Sequence, residues 1–242
     1  SKGIIQNDII SLCIGNNLSF LILYFSCLRL NATVNPLPFS LSTSEIIKNL
    51  AFIKPKYIFH ENKDLESDVS KISTHDIKST GSFLGSLNGI DEKRVITQNN
   101  LNDISCIYYS SGTTGNPKCV EYSHKNMLCL INSIVKEFNY NENTRFLGVL
   151  PLGHTAIINY QLLPCILAGS SLVLAKNFSS IRVDFWDIVH SLSISSVELV
   201  PTIVLSMLGT PYDSKTIQKN ETLKYVGCGS APLSKETQIA FK

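Results

Sequence analysis

Neither positive nor negative charge dominates this chain of 242 residues. It has 21 basic and 19 acidic residues and no long run of like charges. This absence excludes the electrostatic footprint of a nucleic-acid-binding protein, so we expect no nucleic acid partner. Long apolar runs are also missing. The most apolar early run, residues 18–28, is too short to span a bilayer and follows the polar amides of Asn16 and Asn17. It therefore predicts a buried helix, and we expect no integral membrane segment.

Paired cysteines are missing too. The seven cysteines are odd in number, scattered and never spaced C-x-x-C, which is typical of reduced, mostly buried thiols in an intracellular protein. Metal-ligand spacing is likewise absent among His60, His75 and His190, which we expect to be surface or packing residues. The sequence therefore predicts no metal site.

What the sequence does have is an alternation of short strand-like and longer helix-like apolar segments, which is typical of an α/β fold with a largely parallel sheet. Ser42 and Glu45 have the spacing of a capping box. Residues 61–102 are polar and punctuated by glycine, which predicts a variable surface excursion. Helices are expected at 18–31, at 42–53 and after the capping residue Ser123, and strands at 32–35, 56–60, 104–109, 145–150, 171–175, 197–200 and 223–226.

The stretch SSGTTGNPK occupies residues 110–118, directly after a predicted strand. Small residues and glycines let a backbone fold into a concave nest of N–H groups, hydroxyls add donors, and Lys118 supplies a mobile charge for phosphates. A Walker A loop is excluded because Gly112 and Gly115 are too close together and Cys119 follows the lysine. A polar hairpin turn without a ligand is the alternative, but the whole string after an apolar strand favours phosphate binding.

Extended to IYYSSGTTGNPK, residues 107–118, this string resembles the phosphate-binding signature of the acyl-adenylating enzymes, the AMP-binding superfamily. Further matches follow in the family order: LRLNATVNP at 28–36, KPKYIF at 54–59, SHKNM at 123–127, LPLGH at 150–154, VPTIV at 200–204 and GSAPLSKE at 229–236. They cover nearly all of the chain. The loop and GSAPLSKE are most similar to the branch of 4-coumarate-CoA ligases and luciferase-like acyl-CoA synthetases.

The resemblance implies an α/β fold of two sandwiched αβ subdomains, as in the N-terminal domain of adenylate-forming enzymes. Residues 1–242 would then be a partial AMP-binding (adenylation) domain, without the C-terminal domain that carries a further lysine. The chain starts at Ser1 and stops in a helical pattern at Lys242, so we expect a fragment of a longer protein.

The resemblance also implies site residues. Lys118 would neutralise pyrophosphate as it leaves, and His154, placed after Pro151 and Leu152, would orient or polarise the substrate carboxylate. A histidine without such a context is more often structural. The residues that would wrap the β- and γ-phosphates of ATP are Ser110, Ser111, Gly112, Thr113, Thr114 and Gly115. Those that would border adenine are Gly229, Ser230, Ala231 and Pro232. Candidates for the acyl pocket are His154, Asn159, Tyr160, Val200, Pro201 and Thr202, although Tyr160 also suits the core.

Three positions depart from the family pattern. Cys119 stands where the family has glycine, Gly153 replaces an aromatic residue, and Ile157 falls where glycine is frequent. A side chain at Cys119 would crowd the loop if that position needs a positive φ. The loss of the aromatic at Gly153 would reshape the acid pocket.

The implied activity is that of an acid-thiol ligase. A small-molecule carboxylic acid is activated by ATP and Mg²⁺ to an acyl-adenylate, pyrophosphate leaves, and the acyl group passes to CoA. The family's Y-G-x-T-E element, whose glutamate helps to hold Mg²⁺, does not occur in this sequence, so we expect this chain alone to be inactive. Two alternatives remain: a truncated, non-catalytic relative that binds nucleotide or acyl ligand, and a luciferase-like or amino-acid-adenylating enzyme. The expected location is the peroxisome or the cytoplasm, with any peroxisomal signal outside this chain.

Overall fold

The computed structural model describes residues 3–61, 65, 72–77, 79–87, 100–110, 118–214, 217 and 221–241. The chain forms two compact units, Ser1–Cys129 with Pro151–Thr155, and Leu130–Leu150 with Ala156–Lys242. Each unit has its own sheet of mainly parallel strands, which confirms the α/β fold class.

The sheet of the first unit has six strands in the order β4-β3-β1-β2-β5-β6. The strands from β1 to β5 are parallel to their neighbours, and β6 runs antiparallel to β5. The carboxyl ends of the parallel strands therefore meet at one edge, which is where open α/β sheets bind ligands. In chain order the strands are β1 Ile9–Cys13, β2 Thr33–Pro36, β3 Tyr57–His60, β4 Ser73–Asp76, β5 Ile104–Ser110 and β6 Lys118–Ser123.

The helices that begin in this unit are α1 Leu18–Arg29, α2 Thr43–Ile53, α3 Thr80–Ser86 and α4 His124–Glu137. The predicted capping box is confirmed, because Ser42 Oγ accepts from the Glu45 N–H and the Glu45 carboxylate accepts from the Ser42 N–H. Ser123 also caps α4 as predicted, since its Oγ accepts from the Asn126 N–H at 3.1 Å.

Three strands, β1, β4 and β6, are absent from the sequence prediction. The β6 residues are mostly exposed or half-buried, so this strand carries little apolar signal. The polar excursion at 61–102 was also predicted without regular structure, yet it contains β4 and α3. β4 pairs with the whole length of β3, and this pairing stabilises a strand of low hydrophobicity.

Pro36 was predicted to follow β2, but it is the last residue of that strand. The Leu37 N–H donates to the Leu12 carbonyl of β1, and the Thr33 N–H donates to Asp8, the residue before β1. Backbone groups alternate in direction along a strand, so Pro36 faces β5, where it has no N–H to donate. A side chain replaces the missing backbone bond: Asn35 Nδ2 donates to the Ile107 carbonyl of β5 at 3.0 Å. The register between β2 and β5 is correspondingly limited to Val34 and Cys106.

The sheet of the second unit has four parallel strands in the order β10-β9-β7-β8. They are β7 Arg145–Gly148, β8 Ser171–Leu174, β9 Ser196–Leu199 and β10 Tyr225–Cys228, each close to its predicted bounds. The helical segments are α5 Thr155–Ile157, a π-helical turn Ile158–Leu162, α6 Leu163–Ala168, α7 Phe185–Ser191, α8 Pro201–Leu208 and a last helix Lys235–Phe241.

Each unit has a buried apolar core. In the first, Ile10, Phe20 and Val34 are inaccessible to solvent. In the second, Tyr140 packs edge to face on Phe146. All seven cysteines are free thiols and four of them are buried. Within the described ranges, no helix combines the length and apolarity that a membrane crossing needs.

Candidate active site

The predicted phosphate loop connects the two strands of an antiparallel hairpin. β5 ends at Ser110 and β6 begins at Lys118, and these two residues are paired. Residues 111–117 lie outside the described part of the chain, and with them the candidates Ser111, Gly112, Thr113, Thr114 and Gly115. Because β5 is parallel to β2, both ends of the loop emerge at the carboxyl edge of the first sheet.

The base of this hairpin is fixed from several sides. Tyr109 donates its hydroxyl to the Asn49 carbonyl of α2 at 2.9 Å, and Ser105 Oγ donates to the Tyr122 carbonyl of β6 at 2.8 Å. Asn35, which bonds to Ile107, is itself buried and accepts from Ser11 Oγ of β1 at 2.9 Å. Satisfied buried polar groups of this kind hold neighbouring strands in a defined position.

The expected crowding at Cys119 does not occur. The residue lies in β6 opposite Tyr109, and its φ is not among the positive values of the backbone. An extended strand accommodates a Cβ, so the glycine of the family pattern is not needed here. Burial, together with the nearby Glu121 carboxylate, raises the pKa of the Cys119 thiol.

His154 ends a tight turn that belongs to the first unit. Its backbone N–H donates to the Pro151 carbonyl at 3.0 Å. Leu152 is fully buried, and its N–H donates to Asn16 Oδ1 at 2.8 Å. Asn16 follows β1, so the turn is bound at the carboxyl edge of the same sheet in which Ser110 and Lys118 are paired.

The segment that holds Asn16 is braced by its neighbours. The N–H of Gly15 and the side-chain amide of Asn17 both donate to the Glu61 carboxylate, at 3.1 Å and 2.6 Å. Asn17 Oδ1 also accepts from the first N–H groups of α1. These bonds hold Asn16 in an ordered loop, from which it contacts the turn of His154.

Gly153 explains one departure from the family pattern. A Cβ at this position would lie 2.5 Å from the carbonyl carbon of Leu37 and 2.6 Å from the nitrogen of Pro38, and still closer to the Leu37 oxygen. This backbone directly follows β2, so the turn approaches the edge of the sheet as closely as a glycine allows. An aromatic side chain cannot occupy position 153 in this arrangement.

The two histidines of the matched motifs have different surroundings. The side chain of His154 is exposed overall, and partial desolvation of its ring lowers its pKa. A neutral imidazole at pH 7 can donate one hydrogen bond and accept another. His124, at the start of α4, places Nε2 3.0 Å from Asn31 Oδ1, and Asn31 in turn donates to Asp103. His124 therefore helps to fix the start of α4.

The remaining candidates belong to the second unit. β9 leads into Val200, and Pro201 is the first residue of α8. β10 leads into Gly229, whose N–H donates to the Leu199 carbonyl at 3.3 Å, and Ser230 has a φ of 69°. β9 and β10 are adjacent and parallel, so residues 200–202 and 229–232 lie side by side at the carboxyl edge of the second sheet. Thr202, Ser230, Ala231 and Pro232 are exposed.

Asn159 and Tyr160 lie in the π-helical turn. Asn159 is buried, whereas 42% of Tyr160 is exposed, so the alternative interpretation of Tyr160 as a core residue is wrong. π-helical turns are rare in proteins, and those that do occur are often found at functional sites. Ile157, just before the turn, is fully buried and packs toward Gly148, which leaves room for its side chain.

Three polar residues of the two units were not predicted from the sequence. Asn16 positions Leu152 across 136 residues of chain, a separation that no local pattern reveals. Glu198 lies in β9, and burial raises its pKa to about 7. A lone carboxylate inside the apolar run SVELV is a signal that could have identified it. Gln161, in the π-helical turn, is fully buried.

Comparisons with known proteins agree with this architecture. A family model described as AMP-binding enzyme matches residues 1–242. The chain is 26% identical to 4-coumarate–CoA ligase-like 6 of Arabidopsis thaliana, covering 97% of this chain and 44% of that protein. It is 28% identical to 4-coumarate–CoA ligase 5 of Oryza sativa subsp. japonica, covering 98% of this chain and 46% of that protein.

The fold is also similar to the crystal structure of ATP-bound MatB from Rhodopseudomonas palustris, with a TM-score of 0.88 and 19% identity, over 99% of this chain and 48% of that one. The chain thus spans less than half the length of the relatives it matches. Because the family model extends over the whole sequence, this chain belongs to the AMP-binding enzyme family.

Proposed function

We propose that the polypeptide carrying this chain is an ATP-dependent acid-thiol ligase. A carboxylate oxygen of the acid attacks the α-phosphorus of ATP, the bond to the bridging β-phosphate oxygen breaks, and pyrophosphate leaves. The sulfur of CoA then attacks the acyl carbon, AMP leaves with the bridging oxygen, and the thiol proton passes to solvent. Family membership and similarity to 4-coumarate–CoA ligases support this class of reaction.

One observation of the structure carries the proposal. The two ends of the predicted phosphate loop, Ser110 and Lys118, and the turn of His154 lie at the same carboxyl edge of the first sheet, because the turn binds Asn16 after β1 and contacts the backbone after β2. β2 is the neighbour of β5, which leads into the loop. A phosphate-binding loop and a group that can orient a carboxylate belong close together if the carboxylate attacks a phosphate.

In this proposal the N–H groups and hydroxyls of residues 110–115 hold the β- and γ-phosphates, and Lys118 offsets charge that develops on pyrophosphate. His154 orients the carboxylate, and its lowered pKa keeps the ring neutral near pH 7. Residues 229–232 border adenine. Asn159, Tyr160 and residues 200–202 line the acyl pocket.

ATP and CoA are the co-substrates of the proposed reaction, and Mg²⁺ accompanies ATP in the resemblance from which the proposal starts. Among the residues that the structure describes, no group of three or more His, Cys, Asp or Glu side chains could hold a metal ion. These residues do not by themselves fit a Mg²⁺ site, so no step is assigned to the ion. Peroxisome or cytoplasm as the location stays a prediction.

The test is ATP–pyrophosphate exchange by the natural polypeptide over a panel of carboxylic acids. We expect acid-dependent exchange that falls about 100-fold in Lys118→Ala, the usual loss when one group that stabilises developing charge is removed. Lys136→Ala, an exposed lysine in the last turn of α4, is the matched control and should keep full exchange. Nucleotide binding without exchange for any acid would instead identify a non-catalytic relative.

A further inference from the structure

The second sheet separates between β7 and β9 at its carboxyl edge. The register of these two strands pairs Phe146 with Ser196 and Leu147 with Val197, whereas β7 and β8, and likewise β9 and β10, pair over four residues. β7 leads through α6 to β8 on one side, and β9 leads through α8 to β10 on the other side. Open α/β sheets bind ligands in a crevice of this kind, where neighbouring strands lead in opposite directions.

Gln161 donates a hydrogen bond at the point where this pairing ends. Its Nε2 lies 2.9 Å from the carbonyl oxygen of Leu147, and its side chain is fully buried. The Arg145 carbonyl accepts from the Ser195 N–H on the side of β9. Carbonyl groups alternate in direction along a strand, so the Leu147 carbonyl faces β9 as well. Gln161 therefore binds β7 on the side of β9, and β9 contacts the π-helical turn that carries Gln161.

Ile157 holds the same helical run one residue further along β7. Its side chain is fully buried, and its Cδ1 lies 3.0 Å from the position of a Cβ at Gly148, so it packs directly on this glycine. The last two residues of β7 thus each bind one side chain of the helical run. Between these two anchors lie Asn159 and Tyr160, the acyl-pocket candidates of this segment.

The π-helical turn itself has a cause in the sequence. Pro164 is the second residue of α6, within a helical run that continues from residue 155 to residue 168. Proline has no N–H for the Tyr160 carbonyl, four residues before it, and in an α-helix its ring would clash with that carbonyl. The preceding turn is wider instead, and the Leu163 N–H donates to the Ile158 carbonyl, five residues before it. A turn that takes up one more residue rotates the side chains before it by about 100° relative to α6.

Net stability does not explain a glutamine at position 161. Gln161 Oε1 is buried and has no hydrogen-bond partner among the described residues. A buried acceptor without a donor costs free energy comparable to the contribution of the bond that Nε2 makes. A methionine would fill a similar volume without this cost, but it could not bind the Leu147 carbonyl. The role of the glutamine is therefore to fix the turn to β7.

We propose that Gln161 is a positioning residue of the acyl pocket. Through its bond to β7 it holds the wide turn that Pro164 opens, and this turn sets the positions of Asn159 and Tyr160 beside the crevice. Gln161 is fully buried, so it acts on the acid through these two neighbours. The inference rests on the proposed function, because it takes Asn159 and Tyr160 as residues that contact the acid.

The experiment measures two affinities of the natural polypeptide by calorimetry, one for carboxylic acids and one for a non-hydrolysable ATP analogue. The acids are 4-coumaric, benzoic, octanoic and malonic acid, and the acid that the parent binds most tightly is used for the variants. Gln161→Met should bind this acid about 10-fold more weakly, which corresponds to the loss of one hydrogen bond, and should bind the nucleotide as the parent does.

Thr222→Val is the matched control. Thr222 Oγ1 donates to the Ile194 carbonyl at 3.0 Å, so this variant also loses one bond from a side chain to the backbone. Both residues precede strands of the same sheet and lie at its amino edge, away from the crevice. The affinity of Thr222→Val for the acid should therefore equal that of the parent.

Pro164→Ala guards against a folding defect in the methionine variant. Alanine can donate to the Tyr160 carbonyl and favours an α-helix, so the turn can narrow while stability in urea stays equal or rises. We expect this variant, too, to bind the acid about 10-fold more weakly, because the same two side chains are displaced. A weaker affinity for the acid without a loss of stability separates positioning from a merely structural role.

Unchanged affinity for the acid in either variant, a parallel loss of affinity for acid and nucleotide, or a parent that binds none of the acids would overturn the inference. Binding of the acid that depends on Gln161, without acid-dependent pyrophosphate exchange by the parent, would support the positioning role and refute the proposed ligase activity.

Discussion

Gly153→Ala tests the close approach that brings His154 to the edge of the first sheet. The new Cβ would lie 2.5 Å from the Leu37 carbonyl carbon and 2.6 Å from the Pro38 nitrogen, well inside van der Waals contact. Both neighbours are backbone atoms, which cannot move aside by rotation about a side-chain bond. Overpacking costs typically 1–3 kcal/mol, and we expect about 3 kcal/mol because only backbone can yield here. This corresponds to about a 100-fold larger unfolding constant.

The assay is urea denaturation, combined with hydrogen–deuterium exchange of the segment 150–155. The Leu152 N–H, which donates to Asn16 at 2.8 Å, should exchange faster once the turn is displaced. Gly85→Ala is the matched control: this glycine lies in α3, and a Cβ there has no neighbour within 4 Å, so stability should stay equal or rise. If Gly153→Ala is as stable as the parent and exchange at 150–155 is unchanged, the reasoning is refuted.

Three further predictions follow. Asn16→Ala removes the bond to Leu152 and should destabilise the turn by about 1 kcal/mol, visible as faster exchange at 150–155; unchanged exchange would contradict it. Asn35→Leu leaves the buried Ile107 carbonyl without its donor and should lower stability by about 2 kcal/mol in urea, whereas an unchanged midpoint would argue against the β2–β5 link. A folded-state pKa raised from 4.5 to about 7 means that the stability linked to Glu198 is present below pH 4.5 and lost as pH rises to 7. The raised pKa corresponds to at most about 3 kcal/mol in the free energy of unfolding, and partial solvent access reduces this to about 1–2 kcal/mol. Glu198→Gln should therefore be more stable than the parent at pH 8 but not at pH 5. Parallel pH profiles of stability for the two proteins would contradict this.

Local signals in the sequence predicted the parts of the fold that local chemistry determines. Ser42 and Glu45 define a helix start by their own hydrogen bonds, and the four strands of the second sheet are short apolar runs. β6 could not be predicted in this way, because its pairing with β5 maintains a strand whose side chains are largely solvent-accessible. The strand predicted at 32–35 did not include Pro36, although β2 ends on this proline and the Asn35 side chain supplies the missing donor to β5.

The candidate site could likewise be predicted only in part from the sequence. The family resemblance implied that Lys118 and His154 belong to one site, and their contacts put the segments that carry them at one edge of the first sheet. Contacts between distant segments could not be predicted from the sequence. Nothing near Gly153 in the sequence reveals that Leu37 lies against it. The raised pKa of Glu198 is also invisible in the sequence, because it depends on how the folded chain buries this carboxyl group.

The most direct test of the central claim is to follow oxygen from the acid. The natural polypeptide is incubated with ATP, CoA and an accepted acid whose carboxylate carries ¹⁸O, and the products are analysed by mass spectrometry. Attack on the α-phosphorus predicts one ¹⁸O atom in each AMP and none in pyrophosphate. Label in inorganic phosphate, or unlabelled AMP formed together with acyl-CoA, would contradict an acyl-adenylate and the account built on it.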